Sequence, residues 1–311
     1  MSSKRATTLS EQIALLRQRG MTIDDERKAK EVLLDIGYYR LGFYWFPYEK
    51  VHPQKGLRTH EFREGARFDH VVKLYYFDFN LRNMLMKYLN RIEINFKTFL
   101  TYHVSTLHPD SPTWFADPAI ISSEYIQEFD RIVYTEKFKK SHPVIKRHHQ
   151  IHKNDRYAPA WKTIEYMTFG AVIHLFQELL DQSTRITICG HFGIRQQKIF
   201  DSYMKVLLDI RNHCAHGNTL YDLALPTSLK KGPASFKKWP DGQIKNVMKE
   251  TDYQNLYGAL RVILYMTRCV SENRKQDLKE ELRGLFKQNT DIIDILYQAT
   301  GINDIDDFLR D

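Results

Sequence analysis

The chain has 311 residues, a formal net charge of +8 and a sequence pI of about 9.1, a basic surplus that favours an anionic partner such as nucleic acid. It is long enough to bury a sizeable core as one large domain or two small ones; no stretch reaches the roughly 18 uninterrupted apolar residues of a membrane helix, and the start, Met1 to Ser10, has no apolar core of a secretory signal. Three cysteines, Cys189, Cys214 and Cys269, far apart and without CxxC spacing, argue against a disulfide framework and a zinc finger and fit a reducing cytoplasm.

Residues 8–20 read as a short helix, with Ser10 as cap and Gly20 as stop. Asp24 to Ile36 is a second helix ending at Gly37, so the chain opens on a small helical hairpin. The aromatic run from Gly37 to Tyr48 suits a packing wedge that fixes this hairpin onto the rest; the other reading is base stacking beside Arg40. Residues 51–67, with Gly56 and Gly65, read as a loop with room for a short strand pair. From Asp69 to Val104 apolar residues recur at three- and four-residue steps, the period of a long helix. Arg82, Lys87, Arg91, Glu93 and Lys97 fall between them. A loop over 110–118 leads to a helix from about Ser122 to Lys139.

Lys139, Lys140, His142, Lys146, Arg147, His148, His149, His152, Lys153 and Arg156 then form a basic run suited to phosphate or solvent. His148 and His152 are four apart, but no acidic ligand or cysteine stands beside them to complete a metal site, and no cofactor is expected. Pro159 starts a helical stretch reaching Asp181. Within it Glu165 stands among Trp161, Ile164, Met167 and Phe169, where a buried carboxylate needs a partner. Arg211, a histidine of the motif below, a salt bridge elsewhere or simple exposure would each account for it. His191 to Gly193 is a turn, and the helix from Arg195 to His216 carries Ile199, Tyr203, Val206, Leu207 and Ile210 on its apolar face. Residues 217–250 lack periodicity, carry Lys230, Lys231, Lys237, Lys238 and Lys245, and read as a mobile basic loop beside that helix end. A helix from Asp252 to Cys269 and two tail pieces, 277–287 and 291–309, complete an all-α chain. Its parts are a hairpin and aromatic segment (1–67), a helical core (68–272) and a helical tail (273–311).

The last turns of the 195–216 helix read Asp209-Ile-Arg-Asn-His-Cys-Ala-His-Gly-Asn218. A guanidinium that is always charged can hold a phosphate, and an imidazole can move a proton near neutral pH. Arg211 and His216 thus supply the two roles that metal-free phosphodiester cleavage needs, with Asn212 and His213 as polar neighbours. The plain alternative is a polar helix end stopped by Gly217-Asn218. Residues five apart lie about 140° apart on a regular helix, so Arg211 and His216 would not face each other, whereas Asn212 and His216 would. Either the arm of Arg211 reaches round, or the helix end is distorted, or the motif pairs with a second copy from another subunit.

Five pieces occur in order along roughly residues 8–222: Ile36-Gly-Tyr-Tyr-Arg-Leu41 with its aromatics, Phe77-Asp-Phe-Asn-Leu-Arg82, Arg91-Ile-Glu-Ile94 with Tyr102-His103 downstream, Pro159 to Gly170, and Leu208 to His216. Together they resemble the Abi-like abortive-infection proteins of the AbiD/AbiF type, in the HEPN superfamily, whose RNase members carry an Arg and a His a few residues apart. The resemblance implies an all-α, HEPN-like helical bundle, a bacterial antiphage setting and an RNA-directed function, with two motifs brought together across a homodimer. It implies Arg211 and His216 as the catalytic pair and Asn212 as the polar residue beside the Arg. His213 falls at a position that varies in the family. A structured non-coding RNA is an implied partner.

The expectation is therefore a cytoplasmic, metal-independent endoribonuclease. His216 takes the proton from a ribose 2′-OH or protonates the leaving 5′-oxygen, and Arg211 stabilises the phosphate. His213, the cationic run 139–156, Lys230 and Lys231 bind RNA, and Glu165 supports the site. The alternatives are a module that grips RNA through the same basic surface without cutting, and a helical toxin–antitoxin or protein-interaction scaffold.

Overall fold

Thr8, not Ser10, caps the first helix. Its hydroxyl accepts from the Glu11 N–H at 3.3 Å while the Glu11 carboxylate accepts from the Thr8 N–H at 2.7 Å, a reciprocal pair that sets the start at Leu9. The structure, a computed structural model, describes residues 5–51, 57–239 and 242–310. Gly56, Pro240 and the first four residues of the segment read for a signal lie outside the described residues.

Helices α1 (Leu9–Gln18) and α2 (Glu26–Asp35) form the expected hairpin, and α3 (Tyr38–Leu41) opens the aromatic segment. Tyr44, Trp45 and Tyr48 are buried against the core, so this run is a packing wedge. Between 49 and 67 the described backbone makes isolated bridges, Glu49 to Phe62 and Thr22 to Arg67, instead of a strand pair.

The strut of the molecule is α4 (Phe68–Leu107), 40 residues long. Val71, Leu74, Leu81, Leu85, Leu89, Ile92, Phe96 and Leu100 line its buried side at three-, four- and seven-residue steps. Arg82 and Lys97, which fall between the apolar residues in the sequence, are buried there too.

The single helix expected over 122–139 is two, α5 (Ser123–Ile132) and α6 (Glu136–Ser141). The Thr135 hydroxyl accepts from the Phe138 N–H at 3.1 Å and starts the second. After α7 (Pro143–Ile151), the stretch 158–181 divides in the same way into α8 (Ala160–Tyr166) and α9 (Phe169–Gln177), with Thr168 accepting from Ala171 N–H at 3.3 Å. Helix α10 (Gln182–His191) has no counterpart in the sequence reading. Asp181 starts it by accepting from the N–H and hydroxyl groups of Ser183 and Thr184. Those bonds, Thr184 first, hold its carboxyl well below the usual range.

Helix α11 (Gln197–His216) packs on α4 and carries the motif at its C-terminal end. The stretch after it is not a mobile loop. Leu220, Tyr221, Leu223, Leu225 and Leu229 are buried, and the Leu225 and Leu229 N–H groups donate to Gln254 O and Tyr253 O at 2.8 and 2.7 Å. It is a strap laid along the bundle that ends in a small antiparallel hairpin, β1 (Phe236–Lys238) and β2 (Ile244–Asn246), with Lys237 opposite Lys245.

Helices α12 (Leu256–Val270) and α13 (Glu272–Lys287) both pack on α4, so the tail is anchored to the strut. The last expected helix is split into α14 (Ile293–Thr300) and α15 (Ile305–Leu309) by Gly301. The fold is mostly helical, as expected, with one minor hairpin. Among the described residues no helix is long and apolar enough to cross a membrane.

Candidate nucleic-acid interface around Arg211 and His216

Helix α11 continues without distortion to His216. Gly217 then takes φ 69°, a left-handed value, and its N–H donates to His213 O. A side chain is doubly disfavoured at Gly217, because a Cβ there would lie 3.0 Å from Arg40 Nη2. Of the three ways to bring Arg211 and His216 together, a distorted helix end is removed. His216 is exposed at the last helical position, and no hydrogen bond joins it to Arg211.

A buried polar cluster fixes where the chain leaves this helix. Arg40 Nη1 donates to Gly217 O at 2.9 Å and Arg82 Nη1 to Asn218 O at 3.2 Å. Asp78, fully buried, accepts from the Leu220 and Tyr221 N–H groups at 2.9 and 2.7 Å, from the Tyr44 hydroxyl at 2.9 Å and from the Arg82 guanidinium. Burial pushes the Asp78 carboxyl up, and Arg82 with these hydrogen bonds opposes that. Cys214 beside them is an inert thiol, pushed up to about 12 by burial. None of Arg40, Asp78 or Arg82 was singled out as a site residue, although each stands in one of the five resembling pieces.

Arg211 lies half-buried with its Nε 3.8 Å from Glu93 Oε2 on α4, and Nη1 reaches Asn212 Oδ1 at 3.5 Å. Glu93 also pairs with Lys97 at 2.8 Å, and Lys97 donates to Met167 O at 2.7 Å. The carboxylate next to Arg211 is therefore Glu93, not Glu165. Glu165 is exposed, which is one of the readings open for it, and makes no ion pair among the described residues. Its position on α8 instead lines a groove of about 390 Å³ with Lys97, Thr98, Thr101, Tyr102 and Trp161. Tyr102 and Trp161 are 67% and 55% exposed there. His213 does not face out freely: its Nδ1 is 2.8 Å from Asp209 O.

The basic run is partly surface and partly structure. Lys140, Lys146, Arg147 and Lys153 are exposed. Lys139 pairs with Glu136 at 2.9 Å and Arg156 with Asp130 at 2.7 Å. His149 Nε2 is 2.9 Å from the Tyr134 hydroxyl, and His148 is only 5% exposed, with Nε2 3.2 Å from Asp155 Oδ2. Placing His148 on an RNA-facing surface is thus corrected: it is an internal residue of the α7–α8 packing. Lys230 and Lys231 are exposed, but the Lys230 N–H donates to Ser202 Oγ at 3.0 Å. Ser202 precedes His216 by about 21 Å along α11 at 1.5 Å per residue, so these lysines are not beside the motif.

His148 carries a pH prediction. Burial, then Lys162 and His152, hold its imidazole below the ordinary histidine value. The folded state therefore binds fewer protons than the unfolded one, so this contribution to stability is complete above the unfolded pKa, roughly 6.5, and is lost as pH falls. Thermal melts from pH 7.5 down to 5.5 should show Tm falling, and His148→Gln should flatten that fall. An unchanged slope in the variant would contradict it.

Among the described residues no group of three or more His, Cys, Asp or Glu is arranged to hold a metal; the His148 and His152 rings stand 4.7 Å apart, and the acidic residue that the sequence did not place beside them is Asp155, 3.2 Å from His148 Nε2. No curated protein and no solved structure matches the chain significantly. A family model described as Abi-like protein matches residues 31–222, a span that contains Arg40, Asp78, Arg82, Glu93 and the Arg211–His216 helix end. That family implies abortive-infection phage defence. On this match over more than half its length, the chain belongs to the Abi-like protein family.

Proposed function

We propose that this protein is a metal-independent endoribonuclease of abortive-infection defence, of the HEPN type, with Arg211 and His216 as its catalytic pair. The observation that carries the reading is an exposed His216 at the end of an undistorted helix, clamped by Arg40 and the Asp78–Arg82 cluster one to five residues on. A proton-transfer group needs such fixed placement. His216 takes the proton of a ribose 2′-OH; the oxygen attacks the adjacent phosphorus; the 5′-oxygen leaves and takes up a proton. Arg211, oriented by Glu93, holds the non-bridging oxygens as charge develops on them. Asn212, one turn before His216, offers an amide to the same phosphate.

The regular helix separates Arg211 from His216 around its axis, so the reading includes a composite site. His216 of one copy works with Arg211 of the other in a homodimer. Tyr102 and Trp161 in the groove reached from Arg211 through Glu93 and Lys97 offer faces on which unpaired bases can stack. RNA, including a structured non-coding RNA, is the partner this surface suits. Purified protein should cleave RNA in the presence of EDTA and leave DNA of the same sequence intact. Loss of cleavage with EDTA would contradict the mechanism.

A second reading, RNA binding without cutting, is favoured by one observation: in a single copy Arg211 is turned to Glu93 and Asn212, and no hydrogen bond joins it to His216. It expects RNA affinity that falls steeply with salt and no product at any protein concentration.

A further inference from the structure

The groove between α4 and α8 holds a carboxylate as well as its aromatic rings. Its volume, about 390 Å³, sits at the small end of the roughly 300–1,000 Å³ common for small-molecule sites. One wall is the C-terminal part of α4, with Thr98, Thr101 and Tyr102; the other is α8, with Trp161 and Glu165. Trp161 and Glu165 are four apart on α8 and so share a face. Ala160, Thr163 and Ile164 take the buried side of the same helix, which leaves that face open.

Tyr102 and Trp161 are more than half exposed, and among the described residues neither ring packs on another ring. A planar group entering the groove therefore meets an aromatic ring from either wall. The polar lining is selective in a different way. Lys97 is its cation, and the ammonium is already engaged: Glu93 pairs with it at 2.8 Å, Met167 O accepts from it at 2.7 Å and Glu165 O at 3.5 Å. The Glu165 carboxylate makes no ion pair and no side-chain hydrogen bond among the described residues. Glu165 thus carries the charge that this lining keeps open to a ligand.

An ionised carboxylate accepts hydrogen bonds, donates none and repels phosphate. It grips best an edge that presents two adjacent N–H donors. Of the RNA bases, guanine has that edge, with N1–H and the N2 amino group side by side. Adenine and cytosine set an amino donor beside a ring-nitrogen acceptor, and uracil sets its N–H between two carbonyls. We infer that this groove reads an unpaired guanine of RNA, with Tyr102 and Trp161 stacking on the base and Glu165 accepting from N1–H and N2–H. Glu165 is then a specificity-determining residue that takes no part in proton transfer. The inference rests on the RNA-directed reading of the protein and not on cleavage. It also accounts for the carboxylate: a surface that only grips phosphate gains nothing from a negative charge, whereas a groove that reads this edge needs an acceptor.

The test uses the full chain and short fluorescent 2′-O-methyl oligonucleotides, which lack the reacting hydroxyl, with binding read by anisotropy at fixed salt. A guanosine centred among uridines should bind about tenfold tighter than adenosine, cytidine or inosine in its place. Inosine is the sharpest of these, since it lacks only the N2 amino group. Glu165→Gln should bring guanosine down to the level of the others, because the amide replaces one acceptor with a donor. Glu165 is exposed, so Tm should not move. Trp161→Ala should weaken the guanosine oligonucleotide by about fivefold or more. Guanosine monophosphate should compete about tenfold more weakly than that oligonucleotide, because no cation of the groove is left for its phosphate. If no oligonucleotide binds, the RNA-directed reading falls and this inference with it. Equal binding of guanosine and inosine with RNA affinity intact, or a preference that survives Glu165→Gln, would overturn the base assignment alone. Guanosine monophosphate competing as strongly as the oligonucleotide would make the occupant a free nucleotide and overturn the assignment to RNA.

Discussion

His216→Ala should lower RNA cleavage by roughly 10²- to 10⁴-fold, the usual share of a positioned proton-transfer group. Stability should change by no more than about 0.5 kcal/mol, as for an exposed residue away from buried features. The imidazole makes no hydrogen bond that the fold depends on, and the turn after it is held by Gly217 and Arg40. RNA affinity should stay within a few-fold, because phosphate binding rests on Arg211 and on the exposed cations Lys140, Lys146, Arg147 and Lys153. Arg211→Ala should lower both affinity and rate. Arg211→Lys should restore affinity better than rate, since an ammonium keeps the charge but not the planar fork. Mixing His216→Ala with Arg211→Ala protein tests the composite site: two inactive variants should regain part of the activity when they form mixed dimers. Cleavage undiminished in His216→Ala would remove the imidazole from the mechanism.

The largest stability effect is expected at Asp78. Asp78→Ala leaves the Arg82 guanidinium buried without its carboxylate and orphans the Leu220 and Tyr221 N–H groups. Breaking a buried pair from one side costs about 3–5 kcal/mol, a large share of the roughly 5–15 kcal/mol typical of a folded domain. Denaturant melts should therefore show a strongly reduced midpoint. Replacing Arg82 by Leu in the same chain should cost less than the sum of the two single changes, because the stranded charge goes as well. Since Asp78 anchors the strap that starts at the motif, Asp78→Asn protein that still folds should also cut more slowly. A loss below about 1 kcal/mol in Asp78→Ala would mean that the cluster does not hold the strap.

The same cluster shows why part of the molecule was legible in the sequence and part was not. The 3.6-residue period exposed α4 and α11 because each buries one continuous apolar stripe. The aromatic wedge was legible because so many rings in a row cannot all face water. The breaks at Thr135 and Thr168 were not, since a threonine cap is the same residue type as a helix interior position until its hydroxyl is seen to accept the N–H three residues on. The strap from Leu220 to Leu229 was misread as mobile because its leucines pack without any repeat. Its backbone bonds go to Asp78 and to residues 253 and 254, which no local pattern reveals.

Within the candidate site, the residue types at Arg211 and His216 were readable, and so was the angular problem of a five-residue spacing. The partner of Arg211 was not. Glu93 precedes it by more than a hundred residues and meets it only because α11 packs on α4, whereas Glu165, on a helix that looked apolar, turned out to face solvent. The basic run shows the same limit: Lys146 and His148 look alike in a charge count, yet one is exposed and the other lies inside the packing.

The most direct test of the central claim is the chemistry of the cut ends. RNA incubated with purified protein in EDTA, with products resolved by mass spectrometry, should show 2′,3′-cyclic phosphate on one side of each cut and 5′-hydroxyl on the other. A single 2′-deoxy substitution at a mapped site should abolish that cut. Ends carrying 5′-phosphate and 3′-hydroxyl, or cleavage that ignores the missing 2′-hydroxyl, would contradict 2′-OH attack driven by His216.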